Sequence, residues 1–91
     1  LPSALPNQMA KLYVNMSICY NAKNNLNKRL EYSLQALEML RSIFGENNLK
    51  IAKAYNQIGD CYFQMKRIAE ALYEHQKALK IQEKLLRFRF D

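Results

Sequence analysis

The sequence predicts an all-α fold: two stacked helix-turn-helix repeats forming a segment of an α-solenoid. Three observations carry this. An apolar pattern is written twice, 42 residues apart. Within each copy the apolar residues fall at helical spacing rather than in alternation. Turn-forming residues are scarce, with two Gly and two Pro in 91 residues, whereas a sandwich or barrel needs a turn signal about every 8–12 residues. With 49% apolar and 24% charged residues, the composition is that of a chain that folds.

The repeat is explicit. Ala10-Lys11 and Tyr13 recur as Ala52-Lys53 and Tyr55, Cys19-Tyr20 as Cys61-Tyr62, Leu30 as Leu72, and Ala36-Leu37 as Ala78-Leu79. That is eight identities over the 49 positions that overlap at this offset; ordinary composition would give roughly three. Met9/Ile51, Met16/Ile58, Leu26/Ile68, Met39/Ile81 and Ile43/Leu85 are conservative matches between them.

The first helix is expected from about Pro6, which is tolerated at a helix start because the N–H it lacks would be unpaired there anyway. Met9, Tyr13, Met16 and Tyr20 are expected to line its buried face. Lys23-Asn24-Asn25 breaks it, since Asn accepts a left-handed conformation. The second helix carries Leu26, Leu30, Leu37 and Leu40, broadened by Leu34 and Phe44, and ends before Gly45. Asn48 is the expected N-cap of the third helix, whose buried face is Ile51, Tyr55, Ile58, Tyr62 and Met65. After a break at Lys66-Arg67, the fourth helix is expected to bury Ile68, Leu72, His75, Leu79 and Leu86, with Ala71 and Ala78 on the flank. Short connections make the helices antiparallel neighbours. Helix pairs repeated at a fixed period favour an open stack over a closed four-helix bundle. Repeat one covers about residues 6–47 and repeat two about residues 48–90. The chain begins with Leu, lacks a signal-peptide pattern and has no apolar run near the roughly 20 residues of a membrane span. The expectation is a piece of a longer, intracellular, cytoplasmic array, with cytoskeletal assembly as one setting.

Tyr55, Ile58-Gly59, Tyr62, Ala71 and Ala78 stand at spacings that resemble the tetratricopeptide repeat. Tyr13, Met16, Tyr20 and Ala36 fit in the first copy, with Ser17 in place of Gly and with Arg29 and Ser33 at the small and aromatic positions of the second helix. The resemblance runs from about Pro6 to Leu86. The 42-residue period, against the usual 34, and the stretch from Phe44 to Gly59 resemble the long repeats of kinesin light chains. The resemblance implies a protein-binding scaffold whose first helices form a concave groove for extended or helical peptides. It also implies no binding of chaperone tails. The Lys and Asn that would clamp a terminal carboxylate are here Val14 with Ile18 and Asn56 with Asp60, and Asp60 would repel a carboxylate.

The sequence offers no catalytic constellation. Cys19 and Cys61 are expected to be reduced and buried. Equivalent positions of stacked repeats lie about 8–10 Å or more apart, beyond the roughly 7 Å that a disulfide spans. One His and no Cys-x-x-Cys cannot supply the four ligands of a zinc site. His75 lies on an apolar stripe and is expected to be packed rather than catalytic. No enzyme activity, metal or cofactor is expected.

The net charge of +6 favours acidic partners without choosing their class. The candidate partner-binding residues are Lys11, Asn15 and Ile18 on the first helix. On the third helix and just beyond it they are Lys53, Asn56, Asp60, Phe63, Gln64 and Arg67. Ile18 and Phe63 are large apolar residues on otherwise polar faces, which suggests an interaction patch. The expected partner is a protein or peptide of acidic character. The alternatives are a peptide-sensing regulatory domain of a larger enzyme or transcription regulator, or a basic helical repeat that binds nucleic acid. The last is disfavoured because no reading set recurs from repeat to repeat. Leu85, Leu86 and Phe88 are expected to contact a further repeat or another subunit at an open end of the stack.

Overall fold

The computed structural model describes the backbone of residues 4–90 and the side chains of residues 5–87. It contains four helices: α1 (Ala4–Ala22), α2 (Leu26–Phe44), α3 (Leu49–Gln64) and α4 (Ile68–Phe90). Helix α1 starts two residues ahead of the expected Pro6, which sits third in the helix, where backbone N–H groups still lack an intrahelical partner.

The helix ends follow local chemistry. The Asn25 side chain accepts the Lys28 N–H at 3.2 Å to start α2, and Asn48 accepts the Lys50 N–H at 2.8 Å to start α3. Gly45, at φ 74°, closes α2 and donates its N–H to the Arg41 carbonyl. The two intra-repeat turns are copies of each other. Asn24 and Lys66, 42 residues apart, both take the left-handed conformation, at φ 61° and 64°.

Each helix packs only on its neighbours in sequence: α1 on α2, α2 on α3, α3 on α4. A closed bundle would bring α4 back against α1, and it does not. The result is a slab of 43 × 39 × 16 Å, an open two-repeat stack. The core centres on α3, which is covered on both sides. Ile51, Ala52, Ala54, Tyr55 and Ile58 join Leu37 of α2 and Ala78 and Ile81 of α4, with Leu30, Leu40, Tyr62 and Leu85 packed around them. Tyr55, Ile51 and Ile58 are fully buried, each contributing about 1.5–3 kcal/mol of apolar burial. Between α1 and α2, the Tyr32 ring stacks on Tyr20 at 5.6 Å and on Tyr13 at 6.2 Å.

The two outer helices depart from the expected burial. In α1 the buried residues are Ala10 and Ser17, while Met9, Tyr13 and Tyr20 are half-buried and Met16 is exposed. In α4 the inward residues are Ala71, Ala78 and Ile81. Ile68, Leu72, Leu79 and Leu86, expected inside, are each more than half exposed. The reason lies in the stacking. In this fold a helix carries one apolar face for its own repeat and another for the neighbouring repeat. The exposed residues of α4 match Leu26, Leu30, Leu37 and Phe44 of α2, on the side of α2 that meets α3. Those of α1 match the α3 residues that meet α2. No helix covers these second faces among the described residues.

Cys19 illustrates the same point. Cys61 is buried and its thiol lies 3.5 Å from the Leu26 carbonyl, whereas Cys19 has no such cover and is exposed. Both cysteines are free. Burial pushes the Cys61 thiol above its ordinary pKa.

Candidate partner-binding groove

Helices α1 and α3 flank α2 and form the walls of a seam whose floor is α2. At one end lies a cavity of about 280 Å³ lined by Ser17, Ile18 and Asn21 of α1, Arg29 and Ser33 of α2, and Gln57 and Asp60 of α3. Further along, a cavity of about 520 Å³ is lined by Lys11, Val14 and Asn15 of α1, Leu40 and Phe44 of α2, and Lys50 at the start of α3. Lys50 stands 4.6 Å over the Phe44 ring. The seam is therefore basic at the Lys11–Lys50 end and polar, with Asp60 at its rim, at the other.

The smaller cavity has an origin in the repeat. In the second repeat the His75 ring of α4 packs directly on Gly59 of α3. The equivalent pair in the first repeat is Ser33 and Ser17, both buried. Two small side chains leave open the space that an imidazole fills one repeat later. Ser17 Oγ donates to the Val14 carbonyl at 3.1 Å. Ser33 Oγ is buried and has no hydrogen-bond partner among the described residues, and it lies in the lining of the cavity. A buried hydroxyl left unpaired costs about 1–3 kcal/mol.

The structure divides the sequence-derived candidates. Ile18, more than half exposed, and Asp60 come together at the smaller cavity; Lys11 and Asn15 line the larger one. Lys53, Asp60, Phe63 and Gln64 share the exposed side of α3. Other candidates are engaged within the chain. Asn56 Oδ1 lies 2.8 Å from His75 Nδ1, and Asp60 Oδ1 lies 3.5 Å from His75 Nε2. Gln64 Oε1 accepts from the Arg29 guanidinium at 2.7 Å, which ties α3 to α2. Arg67 pairs with Glu70 through two bonds of 2.7 and 2.5 Å and covers the Tyr62 ring; the bond to Glu70 raises its pKa. Of the open-end candidates, Leu86 is exposed, Leu85 turns inward against the core, and the Phe88 side chain lies outside the described residues. Ser33, Gln57, Arg29 and Lys50 are groove residues that the periodicity did not single out. The signal for Ser33 was present, a Ser in a core slot opposite another Ser.

The seam offers hydrogen-bonding groups, one apolar rim residue and separated charges. Among the described residues no three of the His, Cys, Asp and Glu side chains gather as metal ligands, and no helix is long and apolar enough to cross a membrane.

Comparison with known proteins gives the same fold. A family model of the tetratricopeptide repeat matches residues 8–84. Among curated proteins, the chain is 35% identical over 77 residues to proteins named dynein axonemal assembly factor 4 from Pongo pygmaeus and Pan paniscus, covering 85% of this chain and 18% of each relative. The protein of the same name from Mus musculus is 34% identical over 70 residues, covering 77% of this chain and 17% of the relative. The chain thus spans less than a fifth of the length of these relatives. No solved structure matches significantly.

Proposed function

The chain belongs to the tetratricopeptide repeat family, a family of protein-interaction modules, and on that premise we propose that it is a non-catalytic scaffold segment that binds a partner polypeptide in the seam between α1 and α3. The observation that carries this reading is the cavity above Ser33, with its buried, unpartnered hydroxyl. A peptide backbone entering there meets the amides of Asn21 and Gln57. An apolar side chain rests on Ile18 or Phe63, and acidic residues are drawn toward Lys11, Lys50 and Lys53. By the names of its relatives, the protein it serves is proposed to act in the assembly of axonemal dynein.

The test is peptide selection on the chain followed by calorimetry. Ser17→Gly with Ser33→His transplants the His75–Gly59 contact into the first repeat and fills the cavity. It should weaken a selected peptide by at least about tenfold, or 1.4 kcal/mol, while the helical content stays unchanged. Lys11→Glu with Lys53→Glu should weaken an acidic peptide by about 1–3 kcal/mol. Unaltered affinity in both variants would place the binding site elsewhere.

A further inference from the structure

The two cavities of the seam differ in charge. The larger one is lined by Lys11 of α1 and Lys50 of α3, and no Asp or Glu lines it. Among the described residues neither lysine takes part in an ion pair. Helix α1 carries no acidic residue, and Asp60, the one acid of α3, stands about 15 Å along that helix from Lys50. On α2 and the loop after it, Glu31 pairs with Lys28 and Glu46 with Arg41. Glu38 is two positions from Leu40 and so does not share its face. Two cations facing one space without a counter-ion make it electropositive, and Val14, Leu40 and Phe44 give it an apolar wall.

The smaller cavity is balanced. Arg29 and Asp60, of opposite sign, both line it. Arg29 donates to Gln64, and Asp60 lies 3.5 Å from His75 Nε2. A cation entering there is drawn to Asp60 and repelled by Arg29, and an anion the reverse. The side chains of Asn21 and Gln57, which make no hydrogen bond among the described residues, suit a neutral group that both donates and accepts. The spacing of the two cavities is set by α1. Lys11 and Val14 line the larger, and Ile18 and Asn21, each seven positions on, line the smaller. Seven positions of helix rise about 10 Å. In an extended segment of polyproline-II type, side chains three residues apart share a side and stand about 9 Å apart. A helical ligand would need seven residues for the same span.

We propose that the partner presents an extended segment with Glu in the larger cavity and Asn or Gln three residues away in the smaller one, which rests on the assignment of the seam as the binding site. The Glu carboxylate meets Lys11 and Lys50 while its methylenes lie on Val14, Leu40 and Phe44. The amide side chain adds to the backbone contacts with Asn21 and Gln57. The two orders of Glu and amide along the partner correspond to the two directions in which it can lie. A carboxylate is assigned rather than a phosphorylated side chain because the larger cavity offers two point charges and no arginine fork.

The experiment is phage selection of random peptides on the 91-residue chain, followed by calorimetry of the selected peptides made synthetically. They should share Glu and an amide residue at i and i+3. Lys11→Glu with Lys50→Glu should weaken them by at least about tenfold, and a peptide with Lys in place of Glu should recover binding to that variant. Lys53→Glu alone, outside both cavities, should weaken them by less than about threefold. Asp60→Asn leaves Arg29 uncompensated and should shift the preference at the amide position to Asp. Peptides that lose affinity in Ser17→Gly with Ser33→His but lack the spaced Glu and amide would overturn this inference and leave the seam as the binding site. Peptides indifferent to that variant and to the lysine variant would overturn both. A spacing of seven residues, which means a helical ligand, overturns the inference. So does phosphoserine in place of Glu binding more than about tenfold tighter, or an unaltered chain that already prefers Asp at the amide position.

Discussion

The His75 ring occupies the space that a β-carbon on Gly59 would need: Nε2, Cδ2 and Cε1 all lie 2.7–2.9 Å from that position. The ring is held there by Asn56, 2.8 Å from Nδ1. Helix α4 can approach α3 this closely because position 59 has no side chain, and the family's glycine thereby acquires a local physical cause.

A double-mutant cycle follows. Ala in place of Gly in a helix is worth about 1 kcal/mol by propensity, but here it forces the imidazole off its partner, and overpacking typically costs about 1–3 kcal/mol. Gly59→Ala alone should therefore lower stability by about 1 kcal/mol. In a His75→Ala background the same substitution should raise it by about 1 kcal/mol. Urea unfolding of the four chains measures the coupling; additive effects would show that the ring does not restrain position 59.

Lys66 provides a second test. It occupies a left-handed position at φ 64°, which costs a residue with a β-carbon about 1–2 kcal/mol. The first repeat solves the same turn with Asn24. Lys66→Gly should stabilise the chain by about 0.5–1 kcal/mol, less than the full relief because Gly gains entropy when unfolded. Lys66→Asn should do part of the same. A destabilising Lys66→Gly would mean that the lysine side chain contributes more than its backbone costs.

Most of the fold was legible because the repeat supplies its own comparison. Caps at Asn48 and Gly45 and the break at Asn24 follow from residue type alone. Burial in α1 and α4 was not legible. Periodicity marks a face as apolar without saying whether a neighbour covers it, so Leu72 and Leu79 read like Leu30 and Leu37 although only the latter pair has α3 to pack on. The groove was half legible. Ile18 and Lys11 stand out as exposed positions on a first helix, whereas the cavity depends on Ser17 and Ser33 being small together, across two helices. The engagement of Asn56 by His75 and of Gln64 by Arg29 is a tertiary fact that spacing along one helix cannot supply.

The two thiols should separate by rate. Cys19 is exposed and Cys61 is buried. A thiol reagent should titrate one cysteine rapidly and the other at the rate at which α2 and α3 part, with both reacting at once in denaturant. Cys19→Ser should abolish the fast phase alone. Two fast thiols in the folded chain would mean that the α2–α3 contact over Leu26 opens readily.

Stability should decline on the alkaline side, and the residues responsible are identifiable. Tyr55 is buried between the repeats, accepts a hydrogen bond from Arg41 and donates one of 2.6 Å to Glu46 Oε1. Arg41 and Glu46 also pair at 2.9 Å. Burial, reinforced by the bond to Glu46, holds the Tyr55 phenol above its ordinary value of 10.0. Burial likewise raises Cys61 above 9.0 and Tyr62 above 10.0. In each case the unfolded chain releases its proton at lower pH than the folded one. The stabilisation is present in full below the unfolded value and is lost as pH rises through the folded value. Each such group can subtract up to about 1.4 kcal/mol per pH unit in that window. Urea midpoints should therefore be level near neutrality, begin to fall near pH 9 as Cys61 enters, and fall more steeply above pH 10. Cys61→Ala should delay the onset, at the cost of a small cavity. Tyr55→Phe should flatten the steeper limb while lowering stability at neutral pH by about 1 kcal/mol for the lost hydrogen bonds. A midpoint that stays level to pH 11 in the parent chain would show that these groups ionise as freely when folded as when unfolded, and that the contact of Tyr55 with Arg41 and Glu46 does not hold the repeats together.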